Sequence, residues 1–120
     1  MKYELSQKFY FEAAHTLNRE IDSEGSRQIH GHTYHAEVTV SGSPDPITGM
    51  IIDIGLFRHE IERIRKTLDH RFLDDIADLG PATLENLCTF ICKSLRDSLS
   101  NIVRVRIERP ASGDSCTLVA

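Results

Sequence analysis

The sequence lacks any concentration of positive charge. Its 120 residues include 14 lysines and arginines against 18 aspartates and glutamates, for a formal net charge of −4. The basic residues are scattered along the chain and form no cluster. A protein that binds a nucleic-acid backbone needs positive charge gathered on one face. We therefore exclude nucleic acid as a partner.

Long apolar runs are also absent. No stretch approaches the roughly 20 apolar residues that a membrane-spanning helix needs, and the N-terminus lacks the uninterrupted apolar segment of a signal peptide. We expect no membrane partner and a soluble, cytoplasmic protein.

The chain has three cysteines, Cys88, Cys92 and Cys116, an odd number that forms no disulfide framework. Cys88 and Cys92 share one face of a predicted helix, so we expect them to be small core residues in a reduced protein.

The length fits one domain, which we place at residues 1–120. A chain of this size can bury a real core but is small for a deep active site of its own. Proteins of this size often build their pocket between subunits. We therefore expect any active site to lie at a contact between copies of the chain.

The most informative residues are histidines. His30 and His32 are two positions apart, so they project from the same side of an extended chain. His15, at the end of another strand-like run, can supply a third imidazole. Three neutral imidazoles without a thiolate fit a catalytic Zn²⁺ with an open fourth position, because structural zinc is usually closed by four ligands. The alternative is a His-x-His on a solvated strand arising by chance in a chain with six histidines, and the spacing alone leaves both readings open.

Alternating apolar residues predict strands over 2–15 and 30–42. The three histidines fall on the apolar side of these strands, while His35 falls on the other side. The polar segment 18–28 between the strands has no period and predicts a loop. A dense turn signal at 43–49 precedes the apolar residues 50–52, which predicts a return strand and a hairpin.

Two amphipathic helices are predicted next. The first is capped by Asp53 and ends at Asp69 and His70, and the second follows Thr83 as its N-cap. The apolar face of the second helix consists of Leu84, Leu87, Cys88, Ile91 and Leu95, and it includes Leu99 if the helix extends that far. Strands at 101–109 and 115–119 complete the chain. Because strands and helices are segregated, we expect an α+β fold with an antiparallel sheet, both helices on one face and a polar opposite face. The sheet has four strands if the short return strand merely extends the first hairpin.

Six short segments follow one another in a distinctive order. They are FEAAH at 11–15, IHGH at 29–32, GMIID at 49–53, LDH at 68–70, PATLENL at 81–87 and Glu108. Each is weak alone. In register over nearly the whole chain, they resemble the 6-pyruvoyl-tetrahydropterin synthase and 6-carboxytetrahydropterin synthase family.

The resemblance implies the tunnelling fold, in which trimers close a β-barrel and two trimers stack into a homohexamer with active sites between subunits. It implies Zn²⁺ bound by His15, His30 and His32, and a catalytic pair formed by Asp69 and His70. It also implies Glu108 as the pterin anchor, and we place Thr83 with it among the substrate-binding residues. The chemistry agrees, because one carboxylate can accept hydrogen bonds from both the amino group and the ring N–H of a pterin.

The resemblance also implies a substrate, 7,8-dihydroneopterin triphosphate. In the carboxy branch, which is similar to this chain in its compact length, the product is 6-carboxytetrahydropterin on the route to queuosine. Acetaldehyde and triphosphate are released. The alternatives are the 6-pyruvoyl-tetrahydropterin branch or another branch that cleaves the same substrate. All of these are lyases that act on a reduced pterin.

One departure from the family concerns the catalytic base. Family synthases have a cysteine four residues before the first histidine of His-x-His, and here that position is Ser26. A serine hydroxyl is far harder to ionise than a thiol near a metal. Three alternatives follow: Glu24 replaces the base, His70 and Asp69 carry the proton alone, or the chain binds zinc and pterin without turnover. Two classes of function thus follow from the sequence, a zinc lyase and a zinc-bearing pterin-binding protein.

Overall fold

A computed structural model describes residues 1–120 and shows one five-stranded sheet with helices packed against it. The elements are β1 (Tyr3–His15), α1 (Ser23–Arg27), β2 (His30–Gly42), α2 (Ile54–Leu68), β3 (Arg71–Phe72), a 3₁₀ turn (Leu73–Asp75), α3 (Leu84–Leu95), β4 (Ile102–Arg109) and β5 (Asp114–Val119). The strand order is β3-β1-β2-β4-β5. The predicted α+β class is confirmed.

The core lies between the two long helices and one face of the sheet. Strand residues on that face alternate with exposed ones, because successive side chains point to opposite sides. The fully buried side chains include Phe11, Tyr34, Val38, Val105 and Ile107 from the strands and Phe57, Leu68, Leu87, Ile91 and Leu95 from the helices. Cys88 and Cys92 are buried among them as predicted.

Side-chain caps begin both long helices where the sequence predicted them. Asp53 Oδ1 accepts a hydrogen bond from the backbone N–H of Gly55 at 2.8 Å, and Thr83 Oγ1 accepts one from that of Asn86 at 3.1 Å. Such a cap typically stabilises a helix by about 1 kcal/mol. Helix α2 ends at Leu68, with Asp69 as its C-cap, so Asp69 and His70 directly follow the helix as expected.

Two local predictions were wrong. Segment 18–28 is not entirely a loop, because it contains α1, and residues 50–52 do not form a return strand. The carboxylate of Asp45 accepts hydrogen bonds from the backbone N–H groups of Ile47 and Thr48, which turns the chain tightly. Ile51 and Ile52 then pack half-buried against the core without pairing with a strand. The chain therefore passes from β2 to α2 with no hairpin.

The sheet also differs from the predicted four antiparallel strands. A fifth strand, β3, is only two residues long and lies parallel to β1, with Ala13 opposite Arg71. The remaining pairs are antiparallel. The face away from the helices carries Glu37, Arg104, Arg106 and Glu108 as predicted, but Thr39 on that face is buried, with its Oγ1 2.8 Å from Ser6 Oγ.

The molecule is elongated. Its extents are 57 × 23 × 23 Å and its radius of gyration is 15.7 Å, whereas a compact domain of this length has a radius of about 14 Å. The first eight residues of β1 include no buried side chain. This half of β1 is therefore only partly covered by the chain's own core. No helix is both long and apolar enough to cross a membrane.

Candidate functional site

The three histidines meet where β1 ends and β2 begins. In the antiparallel register His15 lies opposite His30, and Ala13 lies opposite His32. Residues directly opposite each other, and residues two apart on one strand, project from the same face. The three rings accordingly pack together, with centroids 4.5 to 4.9 Å apart. The convergence predicted from the sequence is confirmed by this geometry.

The hydrogen bonds of the rings determine which nitrogen faces the cluster. Nδ1 of His15 lies 2.9 Å from the carbonyl oxygen of Ala82, and Nδ1 of His30 lies 2.8 Å from that of Gln28. A carbonyl oxygen only accepts, so each Nδ1 carries the hydrogen and each Nε2 of a neutral ring presents a lone pair.

Those lone pairs converge on one point. His15 Nε2 is 2.9 Å from His30 Nε2 and 3.1 Å from His32 Nε2. The lone pairs of His15 and His30 cannot hydrogen-bond to each other, so this contact is unfavourable unless a cation lies between them. Nitrogens around a tetrahedral Zn²⁺ lie about 3.3 Å apart at bond lengths of 2.0–2.1 Å. The donor set therefore fits a metal ion, and it is the one group of three such ligands in the chain.

The surroundings favour the neutral form of His15 and His32. His15 has no exposed surface, and burial lowers its pKa. Burial also lowers the pKa of His32 to about 4, and the positive charge of Arg109 acts in the same direction. The neutral ring is the form that binds a metal. Burial thus prepares His15 and His32 for coordination without prior loss of a proton.

A cavity of about 340 Å³ opens beside His30 and His32. Its charged lining consists of Arg19, Asp22, Arg109 and Asp114. Sequence reasoning missed this set, although strand alternation could have indicated Arg109. Glu108 faces away from the helices, so its neighbour on β4 faces the histidines.

Ser26 is fully buried and its hydroxyl is occupied by local contacts. Its Oγ donates to the carbonyl oxygen of Ser23 at 2.9 Å and accepts from the backbone N–H of Arg19 at 3.1 Å. Its backbone is held as well, because its carbonyl oxygen accepts from the N–H of Leu17. These hydrogen bonds stabilise the short helix α1 in the segment between β1 and β2. Glu24, by contrast, is exposed and does not line the cavity beside the histidines.

Asp69 and His70 form a connected pair next to the end of β1. Asp69 accepts hydrogen bonds from the backbone N–H of Glu12 at 2.9 Å and from Arg65 at 3.2 Å, and it contacts His70 Nδ1 at 3.0 Å. The bond from Glu12, with the charges of His70 and Arg65, lowers the pKa of Asp69. An ionised Asp69 keeps the hydrogen on Nδ1 of His70 and leaves Nε2 free to accept a proton.

The ring of His70 is exposed and enters a shallow cavity of about 560 Å³ that His32 and Glu12 also line. Its backbone has a φ of 57°, in the left-handed region that glycine normally occupies after a helix. A histidine in this conformation is strained, and such strain is typical of functional positions.

The two remaining predicted residues do not line the cavities beside the three clustered histidines. Glu108 is opposite His35 on β2 and lines a separate cavity of about 270 Å³ with Lys8, Tyr10 and Arg106. None of the three clustered histidines lines that cavity. Thr83 uses its hydroxyl to cap α3. The roles predicted for these residues, and for Ser26, Glu24, Asp69 and His70, stay predictions.

Comparisons with known proteins agree with this geometry. Residues 4–119 match the family model for 6-pyruvoyl tetrahydropterin synthase. The 6-pyruvoyl tetrahydrobiopterin synthase of Homo sapiens is 33% identical over 111 residues, covering 80% of this chain and 76% of that protein. A dihydroneopterin monophosphate aldolase of Pyrococcus furiosus is 31% identical over 106 residues, covering 88% and 86%.

A solved structure gives the same result for the fold. The 6-pyruvoyl tetrahydropterin synthase of Caenorhabditis elegans superimposes with a TM-score of 0.84 at 25% identity, covering all of this chain and 96% of that one. The named relatives include both a synthase and an aldolase, so the comparisons leave the reaction open while they agree on the family. The chain belongs to the 6-pyruvoyl tetrahydropterin synthase family.

Proposed function

We propose that the protein is a zinc-dependent lyase that converts 7,8-dihydroneopterin triphosphate to 6-carboxytetrahydropterin. The observation that carries the proposal is the convergence of three Nε2 atoms, two of which are fixed as lone-pair donors by carbonyl contacts. Zn²⁺ bound by His15, His30 and His32 would act as a Lewis acid toward the side-chain hydroxyls of the substrate. A cytoplasmic location fits this role.

The residues of the chain divide the remaining work. Glu108 accepts the amino and ring N–H hydrogens of the pterin and fixes its orientation. His70 accepts a proton from the substrate side chain at Nε2, and Asp69 holds the tautomer that makes Nε2 available. Arg65 and the Glu12 backbone in turn hold Asp69 in place. Thr83 positions the N-terminus of α3 close to Ala82, the residue that orients His15.

A second reaction has specific support. Position 26 is a serine and therefore offers no thiolate base. Its hydroxyl is already engaged in local hydrogen bonds. The matched Pyrococcus furiosus protein is named as an aldolase. Aldol cleavage would leave a hydroxymethyl group on the pterin ring and keep the phosphate on a two-carbon aldehyde.

One experiment distinguishes these reactions. Zinc-loaded protein is incubated with 7,8-dihydroneopterin triphosphate, free triphosphate is measured, and the pterin product is identified by mass. Triphosphate release with 6-carboxytetrahydropterin supports the proposal, whereas 6-pyruvoyl-tetrahydropterin would assign the chain to the other synthase branch. A hydroxymethyl pterin without triphosphate release supports the aldolase. The same incubation is repeated with 7,8-dihydroneopterin monophosphate, the substrate in the name of the matched aldolase. If neither compound changes, the chain is a binding protein and both lyase reactions are rejected.

The proton route gives a prediction for Ser26 and Glu24. We expect Ser26→Cys to bring no increase in turnover, because burial disfavours the thiolate and the new side chain loses the bond from Arg19. Glu24→Gln should also leave the rate unchanged, since Glu24 is exposed and outside the cavity. Loss of a true general base would lower the rate roughly 10²- to 10⁴-fold.

Steady-state rates of the two variants check this route. A marked gain in Ser26→Cys would mean that the family base is simply missing here. Loss of activity in Glu24→Gln with binding intact would assign the base to Glu24. Either result contradicts proton transfer through His70.

The separation of Glu108 from the histidines predicts an oligomer. The two groups line different cavities of the same chain, and strand alternation directs them to opposite faces of the sheet. One pterin can contact both only if a second copy supplies one of them. We therefore expect a homohexamer of about six times the 13.6 kDa chain, in which trimers bury the exposed sheet edges. Light scattering that shows a monomer at micromolar concentration would contradict both the barrel and the interfacial site.

A further inference from the structure

The guanidinium of Arg109 is held beside the histidine cluster without enough partners. Its side chain is 17% exposed, and its Nη2 lies 2.9 Å from Asp114 Oδ2. Its Nε is buried and has no hydrogen-bond partner. The hydroxyl of Tyr34 is buried next to Arg109. The chain encloses both of these atoms, so the donors that a ligand can reach are the remaining N–H groups of the guanidinium, which lines the cavity beside His30 and His32.

The charged side chains around the cavity form pairs and leave no excess of negative charge. Arg19 lies 3.4 Å from Asp22 and Arg109 lies 2.9 Å from Asp114, so each arginine has one aspartate partner. The histidines add no negative charge. A metal ion among them would therefore make the cavity strongly positive, with a partly buried guanidinium as its neighbour. Like charges at short range in a partly buried site are unfavourable.

An anionic group held close to Arg109 would offset this repulsion. We propose that Arg109 binds a phosphate group of the substrate, so that the cavity beside His30 and His32 is an oxyanion subsite that selects phosphorylated pterins. The fork of N–H donors on arginine matches the oxygens of a phosphate. The inference rests on the proposed function for its pterin substrate, but it concerns only which ligands bind.

The test uses zinc-loaded protein and two unreactive ligands, neopterin and neopterin triphosphate, whose affinities are measured by isothermal titration calorimetry. In Arg109→Gln we expect affinity for neopterin triphosphate to fall roughly 10- to 100-fold, the effect of one hydrogen-bonded charge pair. Affinity for neopterin and zinc content by metal analysis should not change. The matched control is Arg104→Gln, which removes the same charge from β4 on the opposite face, where Arg104 pairs with exposed Glu4. It should alter neither affinity.

Equal weakening of both ligands, no weakening of either, or loss of zinc in Arg109→Gln would overturn the proposal. If that variant does not fold, Arg109→Lys replaces it, because lysine keeps the charge but loses the fork. It should bind neopterin normally and neopterin triphosphate less tightly, and unchanged triphosphate affinity would overturn the proposal. The result is independent of turnover. A protein that discriminates between the ligands but converts no substrate would reject the lyase and keep the subsite.

Discussion

Changing His30 to alanine is expected to remove the metal and the activity together. The variant deletes one of three converging Nε2 donors and leaves two, which is too few for a tight Zn²⁺ site. Because the metal contributes several kcal/mol to charge stabilisation, the rate should fall on the order of 10³-fold or more. His30 is the better choice than His15, which is fully buried, since loss of a core ring would also leave a cavity.

The measurement is metal content after purification and reloading, alongside the rate. His59→Ala is the matched control, because His59 is an exposed histidine on α2 that lies outside every described cavity of the site. It should keep one zinc per chain and full activity. A His30→Ala protein that still holds stoichiometric zinc, or that works without it, would show that the cluster is not the metal centre.

The histidine cluster was predictable because strand alternation is a strict geometric rule. His30 and His32 had to share a face, and the long apolar run ending at His15 identified the strand that carries the third ring. The caps Asp53 and Thr83 were predictable for a similar reason, since a helix N-terminus needs an acceptor at a defined position. Each of these features depends on short-range spacing.

Features that depend on contacts between distant residues could not be predicted from the sequence. Strand β3 has two residues and therefore no period, and it exists because β1 offers a free edge. The short helix α1 is stabilised by bonds from Leu17 and Arg19 to Ser26, which no local pattern reveals. The apolar residues 50–52 predicted a strand. In the fold Ile51 and Ile52 pack against the core, Met50 is exposed, and the segment pairs with no strand. Strand alternation gives the face on which Arg109 lies, but only the pairing of β4 with β2 brings it beside the histidines.

The backbone of His70 allows catalysis to be separated from stability in one variant. His70→Gly should increase the free energy of unfolding by roughly 0.5 to 1 kcal/mol. The left-handed conformation costs a non-glycine residue roughly 1–2 kcal/mol, and glycine avoids this cost. Part of the gain is offset because an unfolded glycine has more conformational freedom to lose on folding. The side chain is 77% exposed, so its loss removes little packing. The same variant should lose roughly 10²- to 10⁴-fold in rate, because the proton acceptor is gone.

Asp78→Gly supplies the matched control. Asp78 also has a positive φ, of 68°, and is exposed, but it lies away from the catalytic cavities. Both variants should gain stability in denaturant titrations, while only His70→Gly should lose activity. A histidine at a helix C-terminus can also be present solely because its positive charge suits the helix dipole. Under that alternative His70→Gly would keep its rate, and the proton-transfer role of the pair would be rejected. The opposite signs expected for stability and rate are what a residue kept for chemistry, at a cost to folding, should show.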